Sequence, residues 1–173
     1  TIGLITYMRT DSLRISEEAL AAAGEVIKSR YGAAYYPGAP RRYKPKSSAQ
    51  DAHEAIRPSN VALYPELIEH DLTKDQFRLY KLIWSRFIAS QMENAVYDVT
   101  AIEAACGDHV FRATHQSLRF AGFTAIYEEG RDDEQEEALS ALPDLAQGEA
   151  LNLKKTDPQQ HFTQPPARYT EAT

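Results

Sequence analysis

The stretch TKDQFRLYKLIWSRFIASQMENAVYDVTAIEAA, residues 73–105, contains the change of pattern that decides the fold. Thr73 and Gln76 have the spacing of a capping box at the start of a helix. The apolar residues that follow recur at helical spacing and form one broad stripe: Phe77, Tyr80, Ile83, Trp84, Phe87 and Ile88. We therefore predict a long helix that lies in the core. After about Met92 the pattern changes to alternation with β-branched residues, which predicts strands.

A second helix is predicted upstream of this stretch. Ser16 is a suitable N-cap residue, and acidic residues at positions 17 and 18 complement the helix dipole in the first turn. Apolar residues then recur at helical spacing from Leu20 to Tyr31. Gly32 is expected to end the helix.

Two shorter segments flank that helix. Residues 3–7 are apolar and β-prone, so they predict a short strand or extended segment that ends at Tyr7. The sequence DAHEAIRPS, residues 51–59, predicts one or two helical turns that end at Pro58, because the residue before a proline is disfavoured in the α region.

The C-terminal half has the composition of a β domain. Alternating patterns occur in residues 95–105, 109–123 and 149–163, with turn signals at Gly107-Asp108 and Gly148. A helical half followed by strands indicates an α+β fold, in which a helical domain precedes an antiparallel β domain. We place the helical domain at residues 1–92, the β domain at 93–160 and the start of a further segment at 161–173.

The cysteine content, the lengths of the apolar runs and the absence of known motifs exclude several classes of function. A single cysteine, Cys106, cannot form an internal disulfide or a zinc site built on several thiolates, which fits a reducing cytoplasm. No apolar run approaches the roughly 20 residues of a membrane span. The sequence has no P-loop, no G-x-G-x-x-G, no H-E-x-x-H and no G-x-S-x-G motif. Nucleotide hydrolysis and zinc chemistry are therefore not expected.

The charged residues are unevenly distributed. The net charge is −6, which by itself disfavours a nucleic-acid partner. Residues 127–137, YEEGRDDEQEE, are acidic, whereas residues 40–46, PRRYKPK, are basic. Each run is typical of a solvated surface segment, although the basic run is also suited to contact a phosphate backbone.

Five polar residues are candidates for a site that binds an anion. Tyr7 and Arg9 lie in one segment, and His53, Glu54 and Arg57 lie in another. A guanidinium beside a phenol favours the phenolate and binds a phosphate oxygen. Simpler interpretations remain open: Tyr7 as a packing residue, His53 as a hydrogen-bonded helix residue and Arg57 as a surface ion-pair partner.

Several segments together resemble bacterial type IA DNA topoisomerase I. GLITYMRTDS, residues 3–12, resembles the active-site signature, and SSAQDAHEAIRPSNV, residues 47–61, resembles the second family segment. LIWSRFIASQM with AVYDVT is similar to the long helix and the return into the β domain, and HFTQPPARYTEAT, residues 161–173, to the stretch that enters the next domain. The resemblance covers nearly the whole chain in family order.

The resemblance implies a role for each candidate residue. Tyr7 corresponds to the nucleophile that forms a 5′-phosphotyrosyl link with single-stranded DNA, and Arg9 to the arginine that neutralises the scissile phosphate. His53 corresponds to a phosphate contact. Arg57 and Arg168 are further candidate DNA contacts in the matched segments.

The resemblance also implies what surrounds these residues. Magnesium would be held by a preceding domain in a full-length parent, with no metal site here, so that the fragment alone would be inactive. Asp132, Asp133 and Glu134 are interpreted as loop surface. The expected partner is single-stranded DNA, and the parent is expected to be a cytoplasmic monomer without a membrane partner. The alternative is a non-catalytic nucleic-acid-binding or structural module that retains the fold.

Overall fold

The computed structural model describes residues 3–43, 53–127, 142–163 and 165. Three α-helices precede a two-stranded antiparallel sheet, with short 3₁₀ turns between them. In chain order the elements are α1 (Glu17–Arg30), a 3₁₀ turn (Ala33–Tyr35), α2 (Pro65–Ile68), a 3₁₀ turn (Glu69–Asp71), α3 (Lys74–Gln91), β1 (Val96–Cys106), β2 (His109–Phe120) and a 3₁₀ turn (Gly122–Ala125). The predicted α+β class is confirmed.

Both predicted helix starts are confirmed. The Ser16 hydroxyl accepts a hydrogen bond from the backbone N–H of Ala19 at 3.3 Å and caps α1. At the start of α3, Thr73 and Gln76 form both bonds of the capping box, at 3.3 and 3.0 Å. Helix α1 ends at Arg30 with Tyr31 as its C-cap residue, and Gly32 follows with a φ of 101°. The capping chemistry therefore sets both helix starts.

Helix α3 packs against α1 through the hydrophobic core. Its buried apolar residues contact Ala23, Ile27 and the segment around Val61. Two polar groups on α3 are satisfied by backbone carbonyls: Trp84 Nε1 donates to Val61 at 3.0 Å and Tyr80 Oη donates to Leu63 at 2.6 Å. The largest side chains of this hydrophobic core are fully or almost fully buried: Ile27, Tyr80, Trp84, Phe87, Ile88 and Met92.

The prediction of helical turns before Pro58 is wrong for the described residues 53–57, which are not helical. They run antiparallel to the segment that precedes Tyr7, with a β-bridge between Ile5 and Pro58. Thr6 donates its N–H to the carbonyl of Arg57, and Ser59 donates to Leu4, both at 2.9 Å. These tertiary hydrogen bonds outweigh the weak helix preference of a short segment. They also confirm that residues 3–7 are extended.

Strands β1 and β2 form a long hairpin with the predicted turn at Gly107-Asp108. The strands are exposed along most of their length on both faces. The prediction of a third strand at 149–163 is wrong: these residues are exposed and form no strand, although the turn at Gly148 is present. A strand requires a partner ladder, and within the described ranges no strand pairs with this segment.

The base of the hairpin meets the helical part at Gly122. A Cβ on Gly122 would collide with the backbone of Asn94, and its φ of 51° favours glycine. Phe123 N–H donates to the carbonyl of Glu93 at 2.9 Å, and Glu93 N–H donates to that of Tyr35 at 2.8 Å. The two ends of the hairpin are therefore tied to each other and to the turn that follows α1.

Candidate active site

Tyr7 lies at the end of the extended segment that pairs with residues 57–59. The backbone before it is fixed by the hydrogen bonds of Thr6, whose hydroxyl also donates to the carbonyl of Ala55 at 2.8 Å. The Tyr7 side chain itself is 77% exposed. A tyrosine that packs in a core would be largely buried, so Tyr7 is not a core packing residue in the described structure.

Arg9, Asp11 and His53 form one cluster beside Tyr7 in the chain. Arg9 Nη1 lies 3.3 Å from His53 Nε2, and Arg9 Nε lies 2.8 Å from Asp11 Oδ2. His53 Nδ1 lies 3.9 Å from the same Asp11 oxygen. The cluster is half-exposed, so a ligand can reach it from solvent.

The cluster depends on contacts between segments that are far apart in sequence. Ser12, which is buried, donates its hydroxyl to the backbone carbonyl of His53 at 2.6 Å. Ala55 N–H donates to the carbonyl of Arg14 at 2.8 Å. Together these bonds hold the segment of His53 alongside the segment that follows Arg9, and the imidazole is placed by backbone anchoring on both sides.

The partner atoms assign the proton on the neutral His53 ring. Arginine carries only donors, so Nε2 of His53 must accept from Arg9. The proton of the neutral ring then resides on Nδ1, on the side of Asp11. A doubly protonated ring would instead present an N–H to the guanidinium of Arg9.

Arg57 is close to the cluster in sequence but its guanidinium is turned inward. Its side chain is 12% exposed, and Nη2 lies 2.7 Å from Glu54 Oε2. Nη1 donates to the carbonyl of Pro58 at 2.9 Å. The structure therefore brings Arg9 and His53 together in a partly exposed cluster, whereas the guanidinium of Arg57 is largely buried against Glu54 and Pro58.

The other sequence candidates are distributed elsewhere. Arg42 binds Glu17 through both terminal nitrogens at 2.7 Å, and this hydrogen bonding lowers the pKa of the Glu17 carboxyl. Arg41 lies 3.7 Å from Glu93. The remaining candidates lie outside the described residues: Lys44, Lys46, Asp132, Asp133, Glu134 and Arg168.

Asp11 is the site residue that sequence reasoning missed. Helix α1 begins at Glu17, which leaves Asp11 in an irregular segment where its carboxylate lies 2.8 Å from Arg9 Nε and 3.9 Å from His53 Nδ1. An acidic residue two positions after a candidate phosphate-binding arginine was the available signal.

The described residues do not form a metal site, since no group of three or more His, Cys, Asp or Glu side chains among them is arranged to hold an ion. Among the same residues, no helix has the length and apolar character required to cross a membrane.

Comparison with known proteins gives the same family as the sequence motifs. The family model described as DNA topoisomerase matches residues 1–173. Among solved structures, full-length topoisomerase I from Thermotoga maritima matches with a TM-score of 0.62 and 36% sequence identity over 78% of this chain. The match spans 21% of the Thermotoga maritima chain. Because the family model matches the chain from end to end, this chain belongs to the DNA topoisomerase family.

Proposed function

We propose that this chain is the part of a type IA DNA topoisomerase that carries the nucleophile. The activity is cleavage of single-stranded DNA through a 5′-phosphotyrosyl intermediate, passage of another strand and religation, which relaxes negative supercoils. The observation that carries the proposal is the exposed Tyr7 side chain, two residues before an arginine that is in contact with His53.

The reaction is a pair of transesterifications. The Tyr7 oxygen attacks the phosphorus, a new O–P bond forms, and the bond to the 3′ oxygen breaks; the phenol loses its proton and the leaving oxygen gains one. The 3′ hydroxyl later attacks the phosphotyrosine and reverses each change. The number of phosphodiester bonds is conserved, so the cycle requires no ATP. This agrees with the missing P-loop.

Arg9 and His53 supply the electrostatics of the site. A planar guanidinium stabilises the charge that builds on the phosphate oxygens during attack, and the imidazole contacts a neighbouring phosphate. Asp11 holds the guanidinium by an ion pair at 2.8 Å before DNA arrives. Binding of a phosphate then replaces the contacts of Arg9 with Asp11 and His53 by contacts with the phosphate oxygens.

We also propose the localisation, the oligomeric state and the source of magnesium that the family resemblance implies. The enzyme would be a cytoplasmic monomer acting at the nucleoid, and the magnesium used by the family would be held by residues outside those described here. The isolated 173-residue chain is then expected to form no covalent adduct with single-stranded DNA, even with magnesium. An adduct trapped by denaturant from the isolated chain would contradict this.

The test of the function is the variant Tyr7→Phe in the complete enzyme. It removes only the hydroxyl that forms the bond, so cleavage is abolished while DNA binding is retained. The matched control is Tyr97→Phe, since Tyr97 is also an exposed tyrosine but lies on β1. Labelled single-stranded DNA is trapped with denaturant and the covalent band is measured. Adducts that persist in Tyr7→Phe would refute the assignment, and a wild type without adducts would favour the non-catalytic module.

A further inference from the structure

We propose that Arg57 is a positioning residue, which holds the segments of Tyr7 and His53 at their working separation from beneath the site. It acts through these residues without touching DNA. This inference rests on the proposed function and deepens it. It replaces the direct phosphate contact that the sequence pattern suggested for Arg57.

The guanidinium of Arg57 joins two stretches of the chain, its own segment at residues 54–58 and the N-cap of α1. Nη2 lies 2.7 Å from Glu54 Oε2, and Nη1 donates to the carbonyl of Pro58 at 2.9 Å. Nη2 also lies 3.5 Å from the hydroxyl of Ser16, the residue that caps α1. With 12% of its side chain exposed, Arg57 presents little surface to a polyanion.

The contacts with Glu54 and Pro58 lead to residues of the site. Glu54 follows His53 in the chain, so the ion pair between Glu54 and Arg57 restrains the backbone that carries the imidazole. Pro58 forms the β-bridge with Ile5, two residues before Tyr7. The backbone of Arg57 binds the same segment twice, since its carbonyl accepts from Thr6 N–H at 2.9 Å and its N–H donates to the Thr6 hydroxyl at 3.0 Å.

Charge also keeps Arg57 in place. The Glu54 side chain is 25% exposed, and Arg57 is its ion-pair partner among the described residues. Rotation of Arg57 toward DNA would leave a largely buried carboxylate without its partner, which is costly. Lysine carries one ammonium on a flexible stem and cannot reproduce the contacts of a planar fork.

The experiment compares Arg57→Lys and Glu54→Gln with the wild type in the complete enzyme. Three quantities are measured: the rate of covalent adduct formation at saturating single-stranded DNA, the Kd for that DNA, and the slope of log Kd against log salt concentration. Arg78→Ala is the matched control, because Arg78 is an exposed arginine of α3 whose side chain lies 3.9 Å from Asp75. Thermal unfolding of each variant establishes that it is folded.

Both site variants are expected to slow adduct formation, by up to about a hundredfold if the reacting groups are displaced by about 1 Å. Their Kd and salt slope are expected to match the wild type. Glu54→Gln decides between the two roles of Arg57. If Arg57 contacted DNA, loss of the Glu54 charge would tighten binding and leave cleavage intact; if Arg57 positions the site, the same change slows cleavage.

Two results would overturn the inference. A marked rise in the Kd for single-stranded DNA in Arg57→Lys would identify a phosphate contact, because lysine cannot reproduce the planar fork of arginine. Wild-type adduct rates in both folded variants would show that the ion pair has no role in the site. Failure of the proposed function looks different, because the wild type itself would then form no adduct that depends on Tyr7.

Discussion

The guanidinium of Arg9 lies 3.3 Å from Nε2 of His53, across a separation of 44 residues in the sequence. Two basic side chains tolerate this contact because the imidazole accepts a hydrogen bond and the carboxylate of Asp11 lies 2.8 Å from Nε of Arg9. The same three groups therefore form one cluster in which the negative charge of Asp11 offsets the positive charge of Arg9. Substitution of Asp11 tests how this offset affects DNA binding.

In Asp11→Asn we expect slower adduct formation together with tighter binding of single-stranded DNA. Loss of the ion pair leaves Arg9 less well oriented, while removal of a negative charge favours a polyanion. Since half-exposed ion pairs contribute about 0.2–1 kcal/mol, each change should be about two- to fivefold. Single-turnover cleavage and DNA titration at low salt measure the two effects. Asp98→Asn, which removes the ion-pair partner of Arg119 on the hairpin, should alter neither.

Arg9→Lys is expected to reduce cleavage at least about tenfold, because a lysine retains the charge but lacks the planar fork that binds phosphate. His53→Ala should weaken DNA binding, because it removes a side chain that contacts a phosphate. Relaxation and binding assays of the complete enzyme provide the measurements, with Arg112→Lys on β2 as the control. Wild-type relaxation by both site variants would assign these residues a structural role only.

Gly122→Ala is expected to destabilise the protein more than Gly148→Ala. Both glycines have positive φ, at 51° and 81°, so each alanine carries a similar backbone strain. Only at Gly122 does the added Cβ meet the backbone of Asn94, and such overpacking costs about 1–3 kcal/mol more. Chemical denaturation of both variants measures the difference. Equal free energies of unfolding for the two variants would show that the backbone of Asn94 moves away from the added Cβ without cost.

Tyr80 should make stability depend on pH in the alkaline range. Burial raises the pKa of its phenol, which donates to the carbonyl of Leu63. The unfolded chain ionises first, near pH 10, so stability is fully present below that pH and falls as pH rises toward the higher pKa of the folded state. Tyr80→Phe should lower stability at neutral pH by about 1–3 kcal/mol and reduce the alkaline slope. An unchanged slope would contradict the link to Tyr80.

The sequence predicted the features that depend on local chemistry. The caps at Ser16 and Thr73, the end of α1 near Gly32 and the turn at Gly107 all follow from side-chain and backbone preferences within a few residues. The buried stripe of α3 follows from periodicity. The resemblance identified the family, and the structure placed Arg9 against His53.

Features set by distant partners were not predicted. His53 lies on an extended segment because Thr6 and Ser12 bind its backbone and that of its neighbours, a relationship that no local pattern encodes. Residues 149–163 alternate as a strand does, but alternation specifies a face and not a partner. Asp11 was missed for the same reason, because its role depends on His53, which is distant in sequence.

The hydrogen bond from Phe123 to Glu93, at the base of the hairpin, makes the hairpin a lever arm. Its first strand has 11 residues and reaches about 35 Å at roughly 3.3 Å per residue. A small rotation at the base is thus multiplied into several ångströms at the Gly107 tip. In reverse, a small force applied at the tip produces a larger force at Glu93, because the tip lies far from the base. The hydrogen bond from Glu93 to Tyr35 passes this force to the 3₁₀ turn that follows α1.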